Sequence, residues 1–591
     1  MCPLSRLRER VRERALSRRE NMKRILILTL LLAACGKHQQ AAAPLPVKTP
    51  ADLAAHSAEF KREVIKVTDG VWCAVGWGAA NSILIEGTDG VIVVDTSITE
   101  EHAREILTEF RKVTSKPVKA LIYTHSHPDH TSGASVFAEG AAPDLPIYAQ
   151  EGVARTIDKI AAEFQPVLTQ RAVRMYGSLL SPEERVNIGI GPEIGFDEES
   201  HIHTLRPNHS FAEQLEDTVA GVHFQLVHAP GETDDQLFVW LPEKRVLLPG
   251  DNFYRSFPNL YTIRGTTYRD LKGWAASLDK MRALKPAFLV PSHTRPLAGE
   301  EMIYNELTNY RDAVAYVYQQ TVRMINQDLT PSEIAARITL PAHLAQDPFL
   351  QEFYGTARWS ARSVFTGNVG WFDGQPSTLD PLAPDVEAQK FVELAGGEET
   401  LTGKILEASK RGEHQWVLQM SDRALRMNDK NEKVRQARIA SLTALGEAAS
   451  NPNARHWYLT KAHELRDGLK IPKRFAKPDP GMLHDMPVAG FFDAMAVNLH
   501  AEDVLELNQK VGFDFTDSGE KFTLIVRRGV VEVQPRLLDD DDLRVKVPAQ
   551  TFKEMLAKLR NPALTLARDF EVTKGNKLEL AKFFKLFDPG D

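Results

Sequence analysis

The chain has 591 residues, 43% apolar and 26% charged, with a formal net charge of −7. This is globular composition, long enough for about four domains, and it excludes a disordered, collagen-like or multi-span membrane protein. The mild acidity offers no basic field for nucleic acid, and three cysteines (Cys2, Cys35, Cys73) are too few for a disulfide framework.

Residues 1–21 hold seven arginines and no apolar run, and Met22-Lys23-Arg24 leads into Ile25–Ala34, apolar except for Thr29. A basic start, a short apolar core and small residues at its end have the form of a secretory signal. The apolar stretch is too short to cross a bilayer, which takes about 20 residues. Leu32-Ala33-Ala34-Cys35-Gly36 resembles a bacterial lipobox. That resemblance implies a start at Met22, a lipid on Cys35, and a lipoprotein facing the periplasm from the outer membrane of a Gram-negative bacterium. Gln39–Pro50 follows as an Ala- and Pro-rich tether, so residues 1–50 form a signal and tether segment.

From about residue 64, strand and helix patterns alternate. Asn81–Gly87 and Gly90–Asp95 read as strands, the second rich in β-branched residues. Ala103, Ile106, Leu107 and Phe110 recur at helical spacing within His102–Val113. Val118–Tyr123 is a further strand, and Val222–Val227, Gln236–Leu241, Arg245–Leu248 and Ala287–Val290 continue the series. This order fits two sheets covered by helices over residues 51–380.

Pro384–Leu465 has helical periodicity almost throughout and predicts an array of short antiparallel helices over 381–470. Trp416, Trp457 and Tyr458 are candidates there for a dimer interface or for the core. Lys470–Met486, rich in Pro, Lys and Asp, reads as a linker. Residues 487–591 then form a small α+β unit: a helix over Phe491–Ala501, strands Phe522–Arg528, Val530–Pro535 and Asp542–Val547, and two closing helical stretches. Its Phe491, Phe492 and Met495 read first as core and second as the wall of an alkyl groove. The run Asp539–Asp542 reads as a solvated hairpin turn.

The strongest chemical signal is Thr124-His125-Ser126-His127-Pro128-Asp129-His130, directly after a strand. His125 and His127, two apart, project to one side of an extended segment, and Asp129 and His130 turn the other way as the chain bends. One loop can therefore feed two adjacent metals, and imidazole with carboxylate suits zinc. Glu232, Asp251 and His293 each follow a later strand, where loops carry functional groups on such scaffolds.

The His-x-His-x-Asp-His run, the Pro230-Gly231 turn, Gly250-Asp251 and Pro291-Ser292-His293 resemble the metallo-β-lactamase superfamily. Glu232 where most of that superfamily has His, together with Asn259–Gly265, Met175-Tyr176-Gly177, Phe353-Tyr354-Gly355, Gly370–Gly374 and Val392–Gly397, is similar to its alkylsulfatase branch. The resemblance implies an αββα sandwich, an all-α helical dimerisation domain and a sterol-carrier-protein-like C-terminal domain. It implies two zinc ions per chain, one held by His125, His127 and Glu232, the other by Asp129, His130 and His293, with Asp251 and a hydroxide bridging. Four positive charges then meet four negative ones. It also implies a homodimer and hydrolysis of an alkyl sulfate, with Asp129, Asp251 and Arg264 catalytic, and with Arg264, Asn259 and Tyr354 contacting substrate. The planar Arg264 fork matches a tetrahedral oxyanion; pairing with Asp270 is the alternative. Arg255, Pro258 and Trp359 stand where the branch tends to carry histidines, and Arg255 could bring positive charge to the leaving group. Two other functions stay open: hydrolysis of another ester, lactone or thioester on the same fold, and lipid binding with a vestigial site.

Overall fold

The structure is a computed structural model that describes residues 48–197, 199–473, 477–478 and 480–587. The signal-like stretch and the lipobox lie outside the described residues. Among these residues no helix is long and apolar enough to cross a membrane.

Two sheets form the first body. The seven-stranded sheet runs in spatial order Glu63–Thr68, Val71–Val75, Ser82–Glu86, Val91–Val94, Val118–Ile122, Ile147–Gln150 and His209–Phe211. Its first four strands are an antiparallel meander, and from Val91–Val94 onward neighbours run parallel. The six-stranded sheet has the order Leu297–Ala298, Phe288–Leu289, Val246–Leu248, Leu237–Leu241, Val222–His228 and Gln214–Val219. Central strands such as Val91–Val94 and Leu237–Leu241 are buried on both faces, which is why they read as unbroken apolar runs.

Ile83, Ile92, Val94 and Ile122 of one sheet meet Phe224, Leu226, Val239 and Leu248 of the other in a shared core. Outside the first sheet, helix Glu100–Val113, capped by the Thr99 hydroxyl, packs Ala103, Ile106 and Phe110 onto Leu84, Val93 and Leu121. Outside the second, helices Leu271–Ala283, Glu300–Ile325 and Ala357–Val369 bury Trp274, Leu278, Leu307 and Val364. This is the expected αββα sandwich.

Helices Pro384–Ala395, Glu398–Lys410, His414–Met427, Glu432–Ala448 and Pro452–Arg466 form the expected array. The supposed linker is docked: Lys477–Pro478 pairs in parallel with His201–Ile202, and Pro480–Asp485 is helical with Leu483 buried. The C-terminal unit is a five-stranded sheet in the order Val530–Gln534, Lys521–Arg527, Asn508–Phe515, Leu543–Val547 and Glu571–Lys574. Its central strand was not predicted. Val511, Phe513 and Phe515 alternate inward, but Asn508, Gly512 and Asp514 mask the run. The first helix is Val488–Val497; it starts behind Pro487, and the Asn498 amide donates back to Ala494 O at its end. Phe492 is core, while Phe491 and Met495 also line a cavity of about 620 Å³ with Ala161, Lys558 and Lys585.

Candidate metal centre

The metal-capable residues converge at the ends of the central strands. After Val118–Ile122 the extended chain brings His125 Nε2 and His127 Nδ1 within 2.8 Å of each other. Pro128 opens the short helix Pro128–Thr131, which turns Asp129 and His130 to the other side. The turn Gly250–Asn252 after Val246–Leu248 presents Asp251; Gly250 has φ +59°, and a Cβ there would collide with the Gln236 amide. His293 follows Phe288–Leu289.

Two ligand sets result, His125/His127/Asp251 and Asp129/His130/His293, each with its ligating atoms within 4.8 Å of one another. Asp251 reaches both: Oδ2 lies 3.7 Å from His125 Nε2 and 3.0 Å from His293 Nε2, and Oδ1 lies 3.5 Å from His130 Nε2. Asp129 Oδ2 is 3.6 Å from His130 Nε2 and 3.7 Å from His293 Nε2. Glu232 Oε1 stands at the edge, 4.0 Å from His127 Nδ1. His130 Nε2 and Asp251 Oδ1 are buried and have no hydrogen-bond partner. Orphans of that kind are costly in a finished fold and fit a divalent cation between them.

Asp95, at the end of Val91–Val94, holds this arrangement from behind. Its Oδ2 accepts from His130 Nδ1 at 2.7 Å, Ser292 Oγ at 2.7 Å and Thr124 Oγ1 at 2.9 Å, and its Oδ1 accepts from Thr124 N at 2.9 Å. Four donors hold Asp95 at φ +58°, a region non-glycine residues seldom occupy. His293 Nδ1 lies 2.7 Å from Ala79 O. Each ring is thus oriented through its second nitrogen, as metal-binding histidines are. Burial alone would lower His130, but the Asp251, Asp95 and Asp129 carboxylates hold it well above the usual histidine range. Burial works against ionised Asp251 too, yet His293, His130 and His125 hold it well below the usual carboxylate range.

Two arginines flank the ligands. Arg269 Nη1 pairs with Glu232 Oε1 at 3.1 Å, and each side chain is only 2% exposed. Burial raises the Glu232 carboxyl, and the Arg269 charge opposes that rise. The Tyr254 hydroxyl donates to Glu232 Oε2 at 3.3 Å. Arg264 Nη2 sits 3.1 Å from His127 Nε2 and also bonds the Tyr176 hydroxyl, itself 2.9 Å from the Tyr354 hydroxyl. Asn259 is buried with both side-chain amide atoms unpartnered. Asp270 does not pair with Arg264; it caps helix Leu271–Ala283 through Lys272 N.

Several expectations need correction. Arg255 is held by Glu59 at 2.7 Å and lies over the Phe349 ring, engaged by a carboxylate of its own. Asp541 is 1% exposed and bound by Arg544 and Lys574, so the acidic run is not simply a solvated turn. Trp457 packs under Arg171, within the chain; of the two tryptophans considered for an interface, Trp416 is the exposed one. Sequence reasoning missed Asp95 and Arg269. The first had a usable signal, an acid closing an apolar strand. Arg269 had none, and it adds a buried positive charge to a site counted as neutral.

The family model described as metallo-beta-lactamase superfamily matches residues 75–293, that for alkyl sulfatase dimerisation matches 330–468, and that for the alkyl sulfatase C-terminal region matches 476–591. The chain is 34% identical to a linear primary-alkylsulfatase of Pseudomonas sp., over 85% of this chain and 98% of that relative. It is 29% identical to an alkyl/aryl-sulfatase of Saccharomyces cerevisiae (89% and 83% covered) and 27% identical to an (R)-specific secondary-alkylsulfatase of Pseudomonas sp. (87% and 79% covered). The solved structure of the stereoselective inverting sec-alkylsulfatase Pisa1 from Pseudomonas sp. has the same fold, with a TM-score of 0.83 at 24% identity over 93% of this chain and 92% of that one. With metal-capable side chains at the strand ends of an αββα sandwich and a 34% identical relative matched along 98% of its length, this chain belongs to the alkylsulfatase family of the metallo-β-lactamase superfamily.

Proposed function

We propose that the chain is a di-zinc hydrolase of alkyl sulfate esters, turning R–O–SO₃⁻ and water into an alcohol and hydrogensulfate. The observation that carries this reading is the set His125/His127/Asp251 beside the set Asp129/His130/His293, with Asp251 within 3.5 Å of His130 and His293 of the second set and the Arg264 guanidinium against His127. His125, His127 and Glu232 would hold one ion and Asp129, His130 and His293 the other, with Asp251 shared. Zinc supplies a Lewis acid there and a water acidic enough to attack at neutral pH.

The chain's own groups handle the anion. Arg264 presents paired N–H donors to the sulfate oxygens. Asn259 offers a buried amide with no internal partner. Burial raises the Tyr176 and Tyr354 phenols, so they face an anion as neutral donors. Arg269 keeps a positive charge beside Glu232, which favours an anionic ester over a neutral lactone.

In the same reading, residues 51–380 are the catalytic domain, 381–470 the dimerisation domain and 487–591 the C-terminal domain. Leu394 and Trp416, exposed on the helical array, support a homodimer through it. The signal stretch from Met22 to Ala34 would export the chain, and a lipid on Cys35 would hold it facing the periplasm through the tether Gln39–Pro50. The test is incubation with dodecyl sulfate, following inorganic sulfate by ion chromatography and dodecanol by gas chromatography. Equimolar products are expected. No sulfate release, with turnover of a matched lactone or thioester, would replace the substrate.

A further inference from the structure

One helix of the array reaches into the sandwich and grips three separated segments of the substrate side. Helix Pro452–Arg466 starts at Asn451, whose Oδ1 caps it through Ala454 N. The Asn451 amide donates to Tyr354 O at 3.1 Å and to Glu352 O at 2.7 Å, and the Asn453 amide donates to Tyr354 O at 3.0 Å. His456 sets Nδ1 3.0 Å from Met175 O and Nε2 2.8 Å from Arg185 O; burial keeps the ring neutral, so its single N–H donates to one of these carbonyls while the ring packs between the two segments. Gly177, at φ +61°, lets the chain turn so close that a Cβ would sit 2.9 Å from His456 Cγ. Trp457 underlies Arg171 at 5.4 Å, and Arg171 donates to Arg264 O at 2.7 Å and Ile263 O at 2.6 Å.

The three gripped segments carry Tyr354, Tyr176 and Arg264. These are the side chains that bond one another beside His127. The helix also bonds the carbonyls of Glu184, Arg185 and Lys48, but its N-terminal turn and His456 reach carbonyls at or next to Tyr354 and Tyr176, and Trp457 backs the arginine that holds the Arg264 carbonyl. We propose that Asn451, Asn453, His456 and Trp457 are positioning residues for the anion-binding side of the site. The dimerisation region thereby sets the geometry of the sulfate pocket while leaving the metal ligands to the sandwich. This rests on the sulfatase reading for the identity of the anion. The His125–His130 loop is held instead by Asp95 and takes none of these contacts.

The test uses the full chain with metal bound, as Asn453→Ala, Trp457→Leu and the ring-preserving Trp457→Phe. With dodecyl sulfate, the first two should raise KM about tenfold, as loss of one or two buried contacts implies, with kcat little changed. Metal content per chain should not move, and Trp457→Phe should recover KM. Amide hydrogen exchange reads the same claim without substrate: protection should fall around residues 175–177, 263–265 and 353–355 but not at 124–131. Unchanged protection in those three segments, or an equal loss at 124–131, would overturn the proposal. A parent protein inert toward dodecyl sulfate would sink the substrate assignment, and the exchange pattern would still decide the positioning role.

Discussion

Asp95→Asn probes the support of the metal centre without altering a ligand. The substitution is nearly isosteric, but the carboxylate accepts four hydrogen bonds and the amide cannot. If the amide oxygen keeps Thr124 N, its NH₂ faces Ser292 Oγ, Thr124 Oγ1 and His130 Nδ1. The two hydroxyls can rotate and accept. The His130 ring cannot, because its Nδ1 must carry the hydrogen when Nε2 binds a metal. One hydrogen bond to a charged group is therefore lost, worth about 1.5–3 kcal/mol. That corresponds to roughly 10–100-fold in metal affinity, the usual scale for groups behind a metal ligand. Competition with a chromophoric chelator, read on the stripped protein, measures it. The weaker of two binding steps should belong to the Asp129/His130/His293 set. Unchanged affinity at both steps would refute the reasoning.

Arg264→Ala should lower kcat/KM for an alkyl sulfate by about 10–100-fold through loss of charge-assisted bonds, with metal content intact by elemental analysis; unchanged turnover would remove its assigned role. Arg269→Met leaves Glu232 buried without a counter-charge, at a cost of about 3–5 kcal/mol. Melting should fall more in chelator-treated protein than in zinc-loaded protein, and an equal fall in both would contradict the pairing. Burial and the Asp347 carboxylate raise Glu306 from 4.5 to about 7, so the folded chain holds a proton there between those values. The stability this gives is complete below pH 4.5 and is lost as pH rises through about 7. Glu306→Gln should remove that slope from Tm against pH, and a slope as steep as the parent's would rule the assignment out.

The metal-capable residues were legible because each follows a strand whose apolar run is itself legible, in chain order: His125–His130, Glu232, Asp251, His293. Sandwich and helical array followed from period alone. What escaped is what only tertiary contact defines. Arg269 lies in Thr266-Thr267-Tyr268-Arg269-Asp270, where nothing marks it as the partner of Glu232. Trp457 read equally as interface or core because helical spacing does not say which neighbour covers a face, and the structure sets Arg171 over its ring. The Lys470–Met486 segment read as a linker because Pro and Lys hide a strand too short for any periodic signal. Strand Asn508–Phe515 was lost to its Gly and Asp, although it is central to its sheet.

The central claim is that two metal ions held by strand-end residues drive sulfate release. Titrating zinc into stripped protein while following inorganic sulfate from dodecyl sulfate tests it most directly. The account predicts no release from the stripped chain and a rise that breaks at two equivalents per chain. Release that is the same with and without zinc, or absent at every zinc level, would contradict it.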